Sequence, residues 1–546
     1  MARSPLMRAL QRLARDHAEA SRRGVYVAKV REERAAFFAE RRRFLQGAGA
    51  MAGAALVSRT RAARAATTTS ATKPKIVIVG AGIAGLNAAL TLQDAGFAST
   101  IYESSDRIGG RMHSDATTWR NEQKSEWCGE FIDSGHATML SLASRFGLKL
   151  VDEVGAEPPG SSDTLYFDGG YYSQAQADQD FVAVNPVLQK LIKVAPSTVY
   201  NSYNRVGSYF DNLSVHEWIE KHVPGGHGSQ LGRYLDSAYN QEFGLDTPLQ
   251  SSLNLVYRLG FQPPARPWQI YGVSDERYSI LGGNQLLPKA IAASLPDESI
   301  MTNWAMTSIR RSGSVGYAVT FDTPVGSQTV VADQVILTLP FSVLRTLEYG
   351  LAGFDSLKLI AIQELGYGTN TKLSLQFSNR YWNATGTWGT GDGNIYTDLF
   401  FQNAWDSSRC LMGATGVLTA YMGGSNGALL RGAASPYAFA ATDAYVRKYA
   451  RDLLSQLDNV WPGVAKYWNG LATLSTPWRD PNLLGSYSCW KVGQYTRFAG
   501  YEGVRQGNCH FAGEHCSTNF QGFMEGGAEE GARAAQEVIA DAAKAR

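Results

Sequence analysis

The amino-acid sequence predicts an α/β fold of two or more domains. Residues 75–79 (KIVIV) form a short β-branched run that is typical of a buried parallel strand, and a glycine-rich turn follows it directly. That turn opens a helical pattern, and a second strand-like run occupies residues 99–102. The 546 residues, 44% hydrophobic and 18% charged, fit a globular chain that is too long for a single core.

The charges are divided unevenly along the chain. Residues 1–65 hold 15 Lys and Arg against 5 Asp and Glu, whereas the rest holds 36 against 44, a net charge of −8. A mildly acidic body argues against nucleic acid as a partner. The five cysteines and eight histidines show neither C-x-x-C nor H-E-x-x-H spacing. We therefore expect no metal centre and no disulfide framework.

The basic N-terminal segment is typical of an export signal. Three arginines at 41–43 precede a short uncharged run at 47–58, and an Ala-x-Ala site ends at Ala65. The paired arginines resemble the twin-arginine type, so residues 1–65 are predicted to be a leader for the twin-arginine export machinery. The protein would then be periplasmic or secreted. A basic helix at a disordered N-terminus is the alternative, and the uncharged run is too short to span a membrane.

The glycine-rich turn carries the pattern G-x-G-x-x-G. Gly80 permits the tight turn, Gly82 lets the backbone approach a pyrophosphate, and Gly85 lets the helix pack closely on the strand. The helix start presents unpaired N–H groups and a positive dipole end to the phosphates. Glu103 ends the second strand, where it would accept hydrogen bonds from a ribose diol. These parts in register predict a Rossmann-type dinucleotide-binding domain.

Two further glycine-rich segments point to the same diphosphate. Residues 104–112 (SSDRIGGRM) place a glycine pair and Arg111 just after the ribose acid. Residues 511–515 look like a strand and a tight turn, and residues 521–527 open an Ala-rich helix. A positive helix end there would stabilise negative charge on a reduced flavin. The same segment also reads as an amphipathic helix that closes the domain.

Blocks of this sequence resemble the family of flavin-containing amine oxidases, which includes monoamine, polyamine and L-amino-acid oxidases. The resemblance covers nearly everything from residue 75 onward. Its blocks are, in chain order, residues 80–85, 109–111, 129–132, 281–284, 338–340, 368–372, 478–481 with 485–488, and 511–514 with 522–526.

The resemblance implies a Rossmann-type FAD-binding domain built from residues 74–150, 275–345 and 485–546. A mixed α+β substrate domain would comprise residues 151–274 and 346–484. Local patterns agree with an alternation of both element types. Residues 317–321 and 329–332 predict a β-meander, and residues 438–457 have helical spacing.

The resemblance also implies roles for single residues. Glu103 would hold the adenosine ribose, Arg111 would lie near the diphosphate, and Glu514 would contact the ribityl chain. The backbone near Met306 would meet the adenine. Lys372 is the predicted catalytic residue, because a lysine at this position reaches flavin N5 through a water in the family. The remaining residues predicted to bind the cofactor are Gly80, Gly82, Ile83, Ala84, Gly85, Gly129, Ile132, Phe523 and Met524.

Aromatic residues are predicted to flank the substrate. In the family two aromatic side chains lie on the flavin face, and Trp490 and Phe523 are the candidates here. Tyr487 aligns with the cysteine that binds flavin covalently in monoamine oxidases. Non-covalent FAD is therefore favoured, although Cys489 lies two residues away.

The substrate class depends on one departure from the family pattern. Ile132 stands where L-amino-acid oxidases carry the arginine that pairs with the substrate carboxylate. Glu130 and Asp133 would favour a cationic substrate if either faces the site, although Glu130 also reads as a structural acceptor.

We therefore expect FAD-dependent oxidative deamination of a primary amine or polyamine. Hydride would leave the α-carbon for flavin N5, the imine would hydrolyse, and O2 would reoxidise the flavin and give hydrogen peroxide. An L-amino-acid oxidase for basic side chains is the alternative. A flavoenzyme acting on a carbon skeleton and a flavin-binding protein with a structural role are more remote. A homodimer is the expected assembly.

Overall fold

A computed structural model of the protein describes residues 5–32, 74–260 and 275–544. Two large sheets organise them, one fully parallel and one mixed, and helices cover both. This arrangement confirms the predicted α/β class. Within the described ranges no helix is both long and apolar enough to cross a membrane.

The parallel sheet has five strands and carries the nucleotide-type turn. In spatial order they are Cys509–Phe511, Gln334–Leu337, Ile76–Val79, Ser99–Tyr102 and Ile300–Met301. The central strand is buried along its whole length, which explains its unbroken β-branched sequence. Helix Ile83–Asp94 follows it and packs against helix Met524–Lys544. The two helices approach closely at Gly531, where a Cβ would lie 2.0 Å from the carbonyl oxygen of Ala84.

The second large sheet has nine strands and carries Lys372 on one of its inner strands. Strand Thr371–Phe377 lies between Gly416–Met422 and Trp468–Ser475 and pairs antiparallel with both. The other strands of this sheet are Ser162–Phe167, Gly170–Tyr171, Thr385–Gly386, Gly389–Thr397, Asn403–Asp406 and Tyr437–Phe439. Its helical cover includes Gln174–Phe181, Val184–Val194, Arg205–Asp211, Val215–His222, Gln230–Phe243, Ser252–Gly260 and Ala444–Val460.

Smaller elements connect the two sheets. A three-stranded antiparallel meander, Ala305–Ser312, Gly316–Asp322 and Gln328–Ala332, confirms the pattern expected there. Further helices are Ala137–Arg145, Leu286–Ser294, Phe341–Leu344, Ser356–Glu364, Gly424–Leu429 and Gln494–Arg497. Short strand pairs are Ser114–Asp115 with Ser125–Glu126, Leu150–Asp152 with Tyr278–Ile280, and Gly366–Tyr367 with Ser488–Cys489.

The strands divide between the two sheets by chain segment. Every strand of the parallel sheet lies within residues 74–150, 275–345 or 485–546, and every strand of the nine-stranded sheet lies within residues 151–274 or 346–484. One predicted helix boundary, by contrast, was wrong.

The helix expected over residues 438–457 begins only at Ala444. Asp443 caps it by accepting from the backbone N–H groups of Tyr445 and Val446, while Tyr437–Phe439 pairs as a strand.

Residues 5–32 form part of the folded body. Helix Pro5–Arg23 packs against helix Ser252–Gly260, because an apolar stripe on this otherwise basic helix meets the helical cover. The export leader predicted over residues 1–65 includes this helix. The arginine motif and the position of Ala65 lie outside the described residues, and export stays a prediction.

Candidate functional site

A long cavity runs between the two sheets and encloses about 1630 Å³ of empty space, part of it open to solvent. It starts at the carboxyl end of strand Ile76–Val79, the position where open α/β sheets bind their ligands. It ends among aromatic side chains of the nine-stranded sheet. Both sheets therefore contribute walls to one continuous site.

The glycine turn shapes the first end of the cavity. Gly80 has φ +105°, which a residue with a side chain rarely adopts. A Cβ at Gly85 would lie 1.9 Å from the carbonyl oxygen of Gly80, so the helix can pack this closely on the turn only because residue 85 is glycine. A Cβ at Gly82 would meet no atom within 4 Å, although the residue lines the cavity. The bare backbone at Gly82 and the N-terminus of helix Ile83–Asp94 therefore form an open cradle for a phosphate.

Glu103 lies beside this cradle and is buried. One carboxylate oxygen accepts from the backbone N–H of Ala81 at 2.7 Å. The other accepts from the N–H of Ser105 at 2.9 Å and from its hydroxyl at 2.8 Å. These bonds fix the carboxylate at the cavity wall and leave lone pairs for further donors such as a ribose diol.

Arg111 and Glu514 join distant segments of the chain in the middle of the cavity. Arg111 Nη1 donates to Glu514 at 2.9 Å and to the carbonyl of Ser486 at 3.0 Å. Glu514 also accepts from the N–H of Gly522 at 2.7 Å and from the hydroxyl of Ser488 at 2.7 Å. Burial would raise the pKa of Glu514, but the charge of Arg111 and these hydrogen bonds outweigh it and hold the pKa at about 2.

Lys372 lies at the other end of the cavity in a tight cage. Its Nζ donates to Glu130 at 2.7 Å, to the carbonyl of Cys128 at 2.7 Å and to the carbonyl of Glu126 at 3.2 Å. The second oxygen of Glu130 accepts from the indole N–H of Trp405 at 2.9 Å. Burial would raise the pKa of Glu130, but Lys372 and Trp405 hold it below its usual value. Glu130 is thus a partner of the Lys372 and Trp405 side chains, whereas its predicted structural role named backbone or ribityl groups.

Aromatic side chains surround the space next to Lys372. Phe131, Trp405, Tyr421, Tyr487 and Phe523 all line the cavity. The hydroxyls of Tyr421 and Tyr487 lie 3.0 Å apart, and Tyr487 also donates to the carbonyl of residue 242 at 2.9 Å. Phe523 was predicted here; Tyr487, Tyr421 and Trp405 were missed as lining residues.

Trp490 was predicted to flank the substrate, and it is not among the residues that line this cavity. Its ring packs on Tyr495 with the ring centres 4.4 Å apart, and its indole N–H donates to Glu502 at 3.1 Å. Tyr487, three residues earlier, does line the cavity. Tyr487 and Phe523 are thus two of the aromatic residues on the cavity wall.

Three predicted cofactor residues, Gly85, Ile132 and Met306, do not line the cavity. Ile132 is fully buried, and its N–H and carbonyl both pair with Tyr278. Its neighbours Phe131 and Asp133 line the cavity instead, because successive side chains of an extended chain face opposite sides. Met306 lies in the core beneath the parallel sheet. The role predicted for the backbone near Met306 stays a prediction.

The other predicted residues come together. Gly80, Gly82, Ile83, Ala84, Glu103, Arg111, Gly129, Lys372, Glu514, Phe523 and Met524 all line the one cavity. Gly129 lies against Met524 and Arg111, since a Cβ there would lie 3.0 Å from the Met524 sulfur and 3.3 Å from the Arg111 carbonyl. A bare helix start, a fixed ribose acid and a basic residue in one long cavity fit a dinucleotide.

Acidic groups are frequent on the cavity wall. Asp133, Glu276 and Asp480 line it in addition to the carboxylates already described. Asp133 accepts from the backbone N–H of Glu276 at 2.8 Å and lies 3.2 Å from His136 Nε2. Among the described residues, the arginines that line the cavity are Arg107 and Arg111, both in the loop after Glu103.

A thiol also lines the cavity. Cys128 does so, and burial raises its pKa, which keeps the thiol neutral. Cys489 is fully buried in a hydrophobic cluster built mainly from the helices that cover the nine-stranded sheet, and it does not line the cavity. A covalent link from Cys489 to a ligand in the cavity is therefore disfavoured.

Comparison with known proteins gives consistent results. The sequence model of the flavin containing amine oxidoreductase family matches residues 83–539. An L-amino-acid oxidase of Siganus canaliculatus is 28% identical over 489 residues, which cover 86% of this chain and 85% of that protein. Polyamine oxidase 5 of Oryza sativa subsp. japonica is 24% identical over 507 residues, 86% of this chain and 88% of that protein. The solved structure of cyclohexylamine oxidase from Brevibacterium oxydans IH-35A has a TM-score of 0.71 at 18% identity, over 86% of this chain and 99% of that one, and shares the fold.

Proposed function

Because the chain belongs to the family of flavin-containing amine oxidoreductases and FAD is its cofactor, we propose that it oxidises the carbon next to the nitrogen of a small amine. The observation that carries this proposal is the Lys372–Glu130 pair, which lies with two aromatic rings in the same cavity as the dinucleotide cradle. One end of the cavity thus suits the cofactor, and the other suits a small substrate.

When bound, FAD supplies the chemistry of a hydride acceptor and of a two-electron donor to O2, so that amine, O2 and water give a carbonyl compound, ammonia or amine, and hydrogen peroxide. The chain's own residues position the substrate and shield it from water. Glu130 and two backbone carbonyls take all three N–H donors of the Lys372 ammonium and fix it at the cavity wall. The rings of Tyr487 and Phe523 confine the substrate and exclude bulk water, which favours the neutral amine.

We infer a primary amine or polyamine as the substrate. Asp133, Glu276 and Asp480 on the cavity wall support a ligand that arrives as a cation. Arg107 and Arg111, the arginines that line the described part of the cavity, lie on the loop after Glu103. Arg111 is already paired with Glu514.

An L-amino acid is the second candidate, and one contact favours it. The guanidinium of Arg258 lies over the ring of Phe523, with Cζ 5.9 Å from the ring centre. An arginine beside the substrate aromatic pair is suited to a carboxylate. The similarity to an L-amino-acid oxidase supports the same candidate.

Anaerobic mixing tests the proposal directly. A panel of amines and L-amino acids is added without O2, and the visible absorbance of the flavin is followed in a stopped-flow instrument. Rapid bleaching by an amine supports the proposal, and unchanged absorbance with the whole panel refutes it. Agmatine against arginine, and cadaverine against lysine, then isolate the contribution of the carboxylate.

We also propose export by the twin-arginine machinery, with a periplasmic or secreted enzyme as the result. The arginines at 41–43 and the Ala-x-Ala site at 63–65 support it. We also propose that O2 is the electron acceptor and that the enzyme assembles as a homodimer. Fractionation of cells that express the full chain tests the location.

A further inference from the structure

Residues 5–32, here called the N-terminal strap, fold onto the substrate half of the protein. We infer that this strap is a permanent part of the enzyme, which stays bound to the body when the chain is cut within residues 33–73. The strap precedes the twin-arginine motif. A leader peptidase that cuts after Ala65 would therefore break the covalent link between strap and body, while the noncovalent contacts would keep them together. This last consequence rests on the export proposal; the binding itself does not.

The apolar face of the strap is built into a core. Leu10, Leu13 and Ala14 are between 0% and 2% exposed, values that a peripheral tail does not reach. They belong to one hydrophobic cluster with Phe181 and Leu259 of the substrate half. Removing such side chains from their partners exposes apolar surface on both sides, so the contact resists separation.

A partly buried polar cluster fixes the position of the strap on the body. Arg31 donates through Nε to Asp16 at 2.8 Å and through Nη2 to Asp178 at 2.6 Å. His17 Nε2 lies 3.3 Å from the same Asp178, and its ring stands edge-on to Phe181. Burial would raise the pKa of Asp178, but its bonds to His17 and Arg31 outweigh that and lower it. A single acid of the body thus receives two basic groups of the strap.

Further hydrogen bonds tie the strap to separate helices. Gln11 Nε2 donates to the backbone carbonyl of Arg258 at 3.0 Å. Ser21 accepts from the amide of Asn185 at 3.1 Å. Arg258 belongs to helix Ser252–Gly260 and lies over Phe523 on the cavity wall, so the strap supports an element next to the substrate space.

The strap also explains an oddity of the sequence. About forty residues ahead of paired arginines are more than an export signal requires, and they carry a net positive charge with an apolar stripe. A segment that only addresses the protein needs no buried histidine and aspartate, and no arginine paired with an acid of the body. These residues fit a structural role in the mature enzyme.

The test uses the full-length holoenzyme with a specific protease site inserted after Ala65. After complete cleavage the sample is passed over a size-exclusion column under native conditions, and mass spectrometry locates the N-terminal fragment. Co-elution of the fragment with the flavin-containing body supports the inference. Elution of the fragment alone, with the body unchanged in thermal unfolding, overturns it.

Two matched variants locate the contact. Leu13→Asp places a charge in the buried face and is expected to weaken retention about 100-fold or more. Tyr26→Asp makes the same replacement at a side chain that is 87% exposed and should retain the fragment. Equal retention in both variants contradicts the proposed interface.

A milder variant covers the case in which Leu13→Asp does not fold. Arg31→Ala removes both ion pairs but leaves the apolar face intact, and retention should fall about tenfold or more. Retention of Arg31→Ala equal to that of the unchanged chain refutes the polar part of the contact. None of these measurements needs a substrate, so they stand or fall separately from amine oxidation.

Discussion

Replacing Glu514 by glutamine is expected to destabilise the protein by about 3 kcal/mol at pH 7. The pKa of Glu514 falls from its ordinary 4.5 to about 2 in the fold, and each pKa unit corresponds to about 1.4 kcal/mol. Because the folded pKa is the lower one, this contribution is complete above about pH 4.5 and is lost as the pH falls toward 2. The neutral amide also leaves the charge of Arg111 without its partner.

Urea unfolding of Glu514→Gln and of the unchanged chain, measured at several pH values between 7 and 3, checks this expectation. The difference in unfolding free energy should be largest at pH 7 and should shrink below pH 4.5. Glu348→Gln, at an exposed position, is the control and should change little. A difference below about 1 kcal/mol at pH 7, or one that does not vary with pH, would refute the reasoning.

Four further outcomes follow from the site. Lys372→Met should cost about 3–5 kcal/mol in urea unfolding, because it leaves Glu130 buried without its cation; an unchanged midpoint contradicts this. Gly82→Val should lower the bound FAD, measured by absorbance, at least about tenfold with unchanged circular dichroism. Gly85→Ala should instead disturb folding itself, since its Cβ would lie 1.9 Å from a carbonyl oxygen. Arg258→Met should raise KM about tenfold for L-arginine and not for agmatine if the substrate is an amino acid; equal effects on both would exclude a carboxylate contact.

The cofactor end of the site was predictable because its signals are local. Gly80, Gly82 and Gly85 follow a buried strand at fixed spacing, and the acid that ends the next strand must lie beside them in a parallel sheet. Lys372 was predictable from the family blocks, and the structure places it on an inner strand. Its partner Glu130 comes from a segment 242 residues away, and no local pattern fixes that pairing.

The substrate end could not be predicted to the residue. Trp490 and Tyr487 lie in one short block, and which ring faces the cavity depends on Glu502 and Tyr495, which hold Trp490 elsewhere. The orientation of Ile132 was unpredictable for a similar reason, because only the pairing with Tyr278 decides which side of the chain lines the cavity. The strap was missed because its basic composition hid an apolar stripe whose partners lie far along the sequence.

The last forty residues of the chain complete the cofactor cavity. Strand Cys509–Phe511 is the edge of the parallel sheet, and Glu514, Gly522 and Met524 belong to the wall. A product that lacks residues 509–546 keeps the G-x-G-x-x-G turn but loses Glu514 and the part of the cavity wall that Gly522 and Met524 form. Acquisition of the yellow colour therefore reports that this segment has folded against the glycine-rich turn.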